Sequence, residues 1–301
     1  MSVYWIVNIT GIQSLVGDII ITRVGRYCFS GHESFICKAQ WLKKGYDFVA
    51  EGNNFNDADA VVKLGVGKNM VSSIRFWLKA FGLTENDQLT PFAHYIFNTD
   101  TGTDPYGEDN TTLWILHYML VSKAISSIYS LIFLELHREK KEFDREQALS
   151  FIHRKCAVPE QKNVFNENTV KKDIGVLLRS YIAPSSLKSI EDFSALLLPL
   201  NLISGKETYS FAEVSAIPDP ILFFAIVSHA GNDRTLSFDK LQELALLFCM
   251  PIDRFLIAVR NLAHEHADKM VYTDNAGIRN VQFLEDVDPL FLFDQHYTEQ
   301  R

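Results

Sequence analysis

The stretch Asp57–Leu83 (DADAVVKLGVGKNMVSSIRFWLKAFGL) decides the fold of this 301-residue chain. Each half has the spacing of a helix, and Gly65 separates the two halves. A glycine there permits a tight turn, and the residues around it are small or apolar, as two helices packed at a steep angle require: Ala60, Leu64, Val66, Val71 and Ile74. The pattern predicts a helix-turn-helix, with an ordinary helical hairpin as the alternative.

The second helix of this pair has a polar and cationic outer face. Its residues have side chains of the kinds that contact phosphates and base edges in DNA complexes: Lys68, Asn69, Ser73, Arg75 and Lys79. We expect this helix to bind DNA. The alternative is that the same face is simply solvated, as charged helix faces usually are.

Two further helical units are predicted along the chain. In Asn168–Ile182 an apolar face opposes Lys171, Lys172 and Arg179, which are weaker candidates for DNA contacts. Near the end, two paired helices, Phe238–Cys249 and Ile252–His266, precede a hairpin with an Asn-Ala-Gly turn. Two helices followed by a hairpin is the pattern of a winged helix.

The predicted fold class is therefore mainly α with small β-hairpins, an α+β class. Several helix-turn-helix or winged-helix-like units are expected to pack around a long buried helix at Thr112–His137. We expect four parts: an apolar N-terminal segment (1–27), an N-terminal domain (28–137), a middle helical unit (138–200) and a C-terminal winged-helix-like domain (201–301).

Composition limits the classes of protein that the chain can belong to. Hydrophobic residues make up 47% and charged residues 22%, which excludes a disordered or fibrous chain. The 29 basic and 37 acidic residues give a net charge of −8, so DNA binding requires a local basic face. The four cysteines form no CxxC pair, and the first 27 residues lack the basic start of a signal peptide. With no clean apolar run of ~18 residues, we expect a cytoplasmic protein with no membrane span.

An acidic loop is the first candidate for catalysis. Asp104, Glu108 and Asp109 lie within six residues and could converge on Mg²⁺, the ion that commonly assists phosphodiester hydrolysis. The alternative is structural: Asp109 or Asn110 caps the following helix, with Glu108 near its positive end.

The second candidate is the pair His32 and Glu33. A histidine can act as a general base, and a glutamate can act as a base or a metal ligand. Three lysines follow that could hold phosphate groups: Lys38, Lys43 and Lys44. The alternative is that Ser30 and Glu33 form a capping box at the start of a helix.

Several other motifs are excluded as sites. Residues 65–69 lack the spacing of a nucleotide-binding P-loop. His264 and His266 do not share a helix face, so they are not expected to bind one metal ion. His117 lies in the predicted buried helix and is expected to be a hydrogen-bonded core residue.

Four blocks together resemble one known family, and the resemblance spans roughly residues 28–300: residues 29–49 (FSGHESF to KAQWLKKGYDFV), 65–83, 104–118 and 166–181. The blocks resemble an uncharacterised-domain family associated with bacterial DNA phosphorothioation, which includes SspB-like DNA-nicking subunits. Members commonly have an arginine where this chain has Lys38, so the charge is kept but the bidentate fork is lost.

The resemblance implies a function in anti-phage defence. A cysteine desulfurase, an ATPase and a sulfurtransferase-like subunit would be the protein partners, and this subunit would nick one strand of double-stranded DNA. The alternatives are a non-catalytic DNA-binding adaptor that positions the partner enzymes, and a purely structural interaction protein. Homodimer formation stays open.

Overall fold

The structure is a computed structural model that describes residues 25–184, 194–275 and 277–299. Most of the apolar N-terminal segment (1–27) lies outside these ranges. Helices predominate among the described residues, and the strands form small antiparallel sheets. The predicted α+β class is therefore confirmed.

The N-terminal region begins with the predicted helix pair. Gly65 adopts a left-handed conformation (φ 62°) at the end of the first helix, and Ala60, Leu64 and Ile74 are buried between the helices and the core. The elements of this region are α1 (Trp41–Ala50), α2 (Ala60–Leu64), α3 (Lys68–Ala80), β1 (Thr84–Glu85), β2 (Gln88–Leu89), α4 (Pro91–Phe97) and α5 (Asn110–Lys123).

The middle region has well-capped helices. Asp144 and Gln147 form a capping box at one helix, and the Asn166 side chain accepts a hydrogen bond from the amide of Thr169 at the next. The elements are α6 (Ser127–Glu139), β3 (Glu142–Phe143), α7 (Arg145–Lys155), α8 (Glu167–Tyr181), β4 (Ile203–Gly205) and β5 (Tyr209–Phe211).

The C-terminal region contains the predicted paired helices and hairpin. Its elements are α9 (Asp219–Ala230), β6 (Thr235–Ser237), α10 (Phe238–Leu247), α11 (Ile252–Glu265), β7 (Met270–Asn275), β8 (Ile278–Phe283) and α12 (Phe291–Glu299). The strands lie in the order β6-β8-β7, and those of the middle region lie in the equivalent order β3-β5-β4. Both regions thus follow one sequence of elements: helix, strand, two helices, two strands.

The single long helix expected at residues 112–137 is wrong. Helix α5 ends at Lys123, Ala124 takes a left-handed conformation (φ 51°), and α6 leaves at 97° to α5. The backbone of Cys28 contacts the start of α6 at this break. Its amide donates to the hydroxyl of Ser127, and its carbonyl oxygen accepts from the amide of Ser127. Helix α5 is buried on almost every side, so its sequence has no polar face that could have indicated the bend.

His117 on α5 joins three parts of the core. Its Nε2 lies 2.9 Å from the carbonyl oxygen of Leu247 on α10, and its Nδ1 lies 2.8 Å from the hydroxyl of Tyr181 on α8. A carbonyl only accepts, so Nε2 bears the proton and Nδ1 accepts from Tyr181. Burial lowers the pKa of His117 to about 4. The expectation of a hydrogen-bonded core histidine is confirmed.

The buried side chains form one contiguous cluster that runs through all three regions. Strand β3 also pairs with β5 across the boundary expected at residue 200. The division into four parts stays a prediction.

Among the described residues, no single helix is long and apolar enough to cross a membrane. Helices α5 and α6 pass that test of length and composition only as a bent pair.

Candidate nucleic-acid interface

Helix α3 presents a row of cations to solvent. Lys68, Arg75 and Lys79 are spaced at i, i+7 and i+11, so they lie on one helix face, which we call the first basic row. Lys68 and Lys79 are exposed, and neither has a carboxylate within 4 Å among the described residues. Their charges are therefore available to a partner.

Arg75 differs from the two lysines because it is already paired. Its guanidinium makes two hydrogen bonds to the carboxylate of Asp87 (Nε–Oδ1 2.8 Å), and a third to Asn56 (3.1 Å). The hydrogen bonds from Arg75 hold the pKa of Asp87 below its ordinary value. A phosphate would have to compete with Asp87 for this side chain.

Ser73 was expected on the outer face of α3, and this expectation is wrong. The residue is fully buried, and its hydroxyl donates a hydrogen bond to the carbonyl oxygen of His32 at 3.0 Å. At i+5 from Lys68 it lies on the far side of the helix from the first basic row. Asn69 is exposed, as expected.

The loop Phe29–Phe35 does not begin a helix, so the expected capping box of Ser30 and Glu33 is wrong. Ser30, Glu33 and Ser34 have φ values of 74°, 49° and 66°, and Gly31 has 97°. Non-glycine residues rarely adopt this left-handed region, and each costs about 1–3 kcal/mol unless the surroundings enforce it. The nearest helix, α1, starts only at Trp41.

A buried pair enforces this loop conformation. His32 and Asp173 are each 1% exposed, and His32 Nε2 lies 3.1 Å from Asp173 Oδ1, close enough to pair though not aligned as a hydrogen bond. Asp173 Oδ2 accepts from the amide of Ser30 (2.8 Å), and His32 Nδ1 accepts from the amide of Ser34 (3.1 Å). The imidazole also stacks on Trp77 of α3. The proposed catalytic role of His32 stays a prediction, and the structure gives it a structural role.

Because Asp173 belongs to α8, the loop joins α3 to α8. Arg179 of α8 donates from Nη2 to the carbonyl oxygen of Ser34 at 2.9 Å. Burial and, after it, Asp173 raise the pKa of the Cys28 thiol, and Lys79 opposes this shift. The side chain of Glu33 in this loop is exposed.

Helix α8 has the cations expected on its outer face. Lys171, Lys172 and Arg179 are exposed. Lys171 is paired with Glu167 at 2.7 Å, whereas Lys172 and Arg179 have no carboxylate within 4 Å among the described residues.

The acidic loop adopts the structural alternative to a metal site, in which Asp109 caps the following helix. Asp104 is buried, and its two oxygens accept from the amides of Glu108 (3.1 Å) and Asp109 (3.0 Å). Asp109 caps α5 through the amide of Thr111 and contacts His296 Nε2 at 3.1 Å. Burial raises the pKa of Asp109, but the hydrogen bonds from Thr111 and His296 outweigh it and keep this pKa below its ordinary value.

Glu108 alone of these acids lines an open cleft of about 610 Å³. Lys43 and Lys44 line the same cleft, but each is engaged: Lys43 pairs with Asp47 (2.6 Å), and Lys44 donates to the carbonyl oxygen of Leu64 (3.2 Å). The side chain of Lys38 packs over the ring of Trp41. Of the residues predicted for catalysis or for phosphate binding, only Glu108, Lys43 and Lys44 line this cleft.

The arrangement of these acids does not suit Mg²⁺. Asp104 and Asp109 direct their oxygens at backbone amides and at His296, whereas Glu108 is exposed in the cleft. Among the described residues, no group of three or more histidine, cysteine, aspartate or glutamate side chains could hold a metal ion.

Comparisons with known proteins agree with this architecture. The family model described as "Protein of unknown function (DUF4007)" matches residues 29–297. The chain belongs to this family. Two solved structures are similar to this chain, each at 25% sequence identity. A structure of SspB has a TM-score of 0.77, and the match covers 93% of this chain and 90% of that chain. A structure of magnesium ion-bound SspB has a TM-score of 0.76, and the match covers 91% of this chain and 88% of that chain. A comparison with curated sequences finds no match. The resemblance noted in the sequence is thereby confirmed: this chain is similar in structure to SspB.

Two residues that shape this surface were not predicted from the sequence. Asp173 gives a usable signal, because it falls on the apolar stripe of α8, where a carboxylate requires a buried partner. Asp87 gives no comparable signal, since its partner Arg75 lies on another element of the fold.

Proposed function

We propose that this protein is a DNA-binding subunit of a bacterial phosphorothioation system used in anti-phage defence, and that it takes part in nicking one strand. The observation behind the proposal is the first basic row: in the described part of the chain, Lys68 and Lys79 have no carboxylate within 4 Å, although the net charge of the sequence is −8. Cations left without acidic partners on an exposed helix suit the phosphates of double-stranded DNA.

The order of elements supports the same proposal. In the middle and C-terminal regions a helix and a strand precede two helices and a hairpin, which is the order of a winged helix. In such units the second helix of the pair commonly enters the major groove. Helix α3 holds the equivalent place after α2 and before the β1–β2 hairpin.

The test of DNA binding is a salt titration. Wild-type protein should bind a duplex of 20–30 base pairs with an affinity that falls steeply with salt. Replacing both Lys68 and Lys79 by alanine should lower the log–log slope by about 2 and the affinity roughly 50-fold at 0.1 M salt. A slope near zero for the wild type would refute DNA binding.

Nicking is tested separately, with supercoiled plasmid in the presence and absence of Mg²⁺ and with the partner proteins added. Candidate residues are replaced one at a time: Glu33→Gln, Asp104→Asn, Glu108→Gln and Asp109→Asn. If all four variants nick normally, the predicted catalytic residues are wrong even if the activity stands.

The second candidate function, a non-catalytic adaptor, is favoured by one specific observation. Asp104 and Asp109 are used to hold the loop and to cap α5, as acids at helix starts often are. An adaptor would bind DNA with the expected salt dependence but would leave supercoiled plasmid intact under every condition. The partners would be the cysteine desulfurase, the ATPase and the sulfurtransferase-like subunit.

A further inference from the structure

Gly175 stands in the middle of α8, on the same face as Lys172 and Arg179. A side chain of α7 lies beside it: a Cβ at Gly175 would be 3.6 Å from Nη1 of Arg145, an ordinary van der Waals distance. A side chain on α7 thus reaches across to the exposed face of α8.

Arg145 is held over α8 by Tyr209 of strand β5. Its Nε donates to the tyrosine hydroxyl at 3.1 Å, and its guanidinium lies 5.8 Å from the centre of the ring. Tyr209 is buried in the sheet, so the anchor is rigid, whereas Arg145 itself is exposed. Among the described residues, the other four of the five N–H donors of Arg145 have no hydrogen-bond acceptor.

The charge of Arg145 also lacks an acidic partner. Among the described residues it has no carboxylate within 4 Å, whereas Arg154, nine residues further along α7, is paired with Glu139. An arginine that is oriented by a tyrosine and not neutralised by an acid is pre-organised for an external anion. A planar guanidinium with free donors matches the oxygens of a phosphate.

We propose that Arg145, Lys172 and Arg179 form a second basic row that binds backbone phosphates of the same DNA duplex as the first basic row. The inference rests on the proposed function and adds Arg145 to the DNA-contacting residues. The two rows are linked through the Phe29–Phe35 loop, because Arg179 contacts Ser34 and Asp173 of α8 pairs with His32.

The direct test is Arg145→Ala, measured by fluorescence anisotropy on a duplex of 20–30 base pairs at several salt concentrations. The slope of log affinity against log salt should fall by about 1, and affinity should fall roughly eightfold at 0.1 M salt. Arg145→Lys should keep most of the slope, because the charge is retained. The matched control is Arg154→Ala, which lies on the same helix and should leave both values unchanged.

Gly175→Ala is a second control. Alanine is the better helix former, so the variant should be at least as stable as the wild type. The added methyl group would lie in ordinary van der Waals contact with Nη1 of Arg145, at 3.6 Å, so the guanidinium should stay in place and DNA affinity should change by less than about twofold.

The outcomes separate this inference from the proposed function. If the double substitution of Lys68 and Lys79 weakens binding but Arg145→Ala does not, the second basic row is wrong and DNA binding by α3 stands. If wild-type protein shows no salt-dependent binding, the proposed function itself is wrong.

Discussion

The cations of the C-terminal region differ from those of α3 and α8 in how they are partnered. Of the six lysines and arginines between residues 231 and 299, five lie within 4 Å of a carboxylate. On α3 and α8, counting only carboxylates of the described residues, Arg75 and Lys171 are paired in this way, whereas Lys68, Lys79, Lys172 and Arg179 are not. The middle and C-terminal regions share one order of elements, so the surface charge, rather than the architecture, distinguishes the candidate interface.

The ion pairs of the two parts of the molecule also differ in burial. His32 and Asp173 are buried between α3 and α8, whereas the ion pairs of the C-terminal region lie at the surface. Pairs in water contribute little because solvent screens them and side-chain entropy opposes them. A buried pair that loses one member leaves polar groups without partners, which is costly.

The largest effect should therefore come from Asp173→Ala. The substitution removes the acceptor of the Ser30 amide and the carboxylate that lies 3.1 Å from His32 Nε2, and we expect a loss of about 3 kcal/mol in the free energy of unfolding. Urea denaturation measures it. Asp286→Ala, which removes the exposed partner of Arg234, should change stability by less than about 1 kcal/mol. Equal losses in the two variants would contradict the distinction.

The interior should also respond to pH through His117. Its pKa is about 4 in the folded protein against an ordinary 6.5, so the unfolded chain binds more protons between these values. Stability contributed by the neutral imidazole is complete above pH 6.5 and is lost as the pH falls towards 4, by roughly 3 kcal/mol in total.

The measurement is urea denaturation at several pH values for wild type and His117→Gln. The difference in stability between the two proteins should shrink as the pH falls from 6.5 to 4. A constant difference would show that His117 titrates normally in the folded state. Other groups titrate equally in both proteins, so their contributions cancel in the difference.

Asp87→Asn should convert Arg75 from a paired into an available cation. The substitution keeps the shape of the side chain, and asparagine tolerates the left-handed conformation of residue 87 (φ 63°). DNA affinity should rise by up to about eightfold at 0.1 M salt, and the salt slope should steepen by up to 1. An unchanged slope would mean that Arg75 does not face phosphate. Arg75→Ala should weaken binding less than the lysine substitutions do, since Asp87 already competes for it.

The smallest effect is expected from Asp274→Asn in the C-terminal region. Asp274 pairs with both Arg260 and Arg279, so the substitution frees two cations at once. If only the surface around α3 and α8 binds DNA, affinity should change by less than about twofold. A large gain would show that available charge anywhere on this chain is sufficient, and the comparison of regions would lose its meaning.

The sequence by itself determined the helix pair around Gly65 and the apolar face of α8. These features depend on residues only a few positions apart, so periodicity reveals them. The cationic outer faces of α3 and α8 followed from the same periodicity, apart from Ser73.

Only the tertiary structure decided which of those charges stay available. The pairing of Arg75 with Asp87, the burial of Ser73 beneath His32 and the placing of Arg145 over Gly175 each join separate elements of the fold. The bend between α5 and α6 likewise depends on Cys28, which lies far from it in the chain. Contacts of this kind leave no local pattern, because their energy arises from groups that meet only once the core has formed.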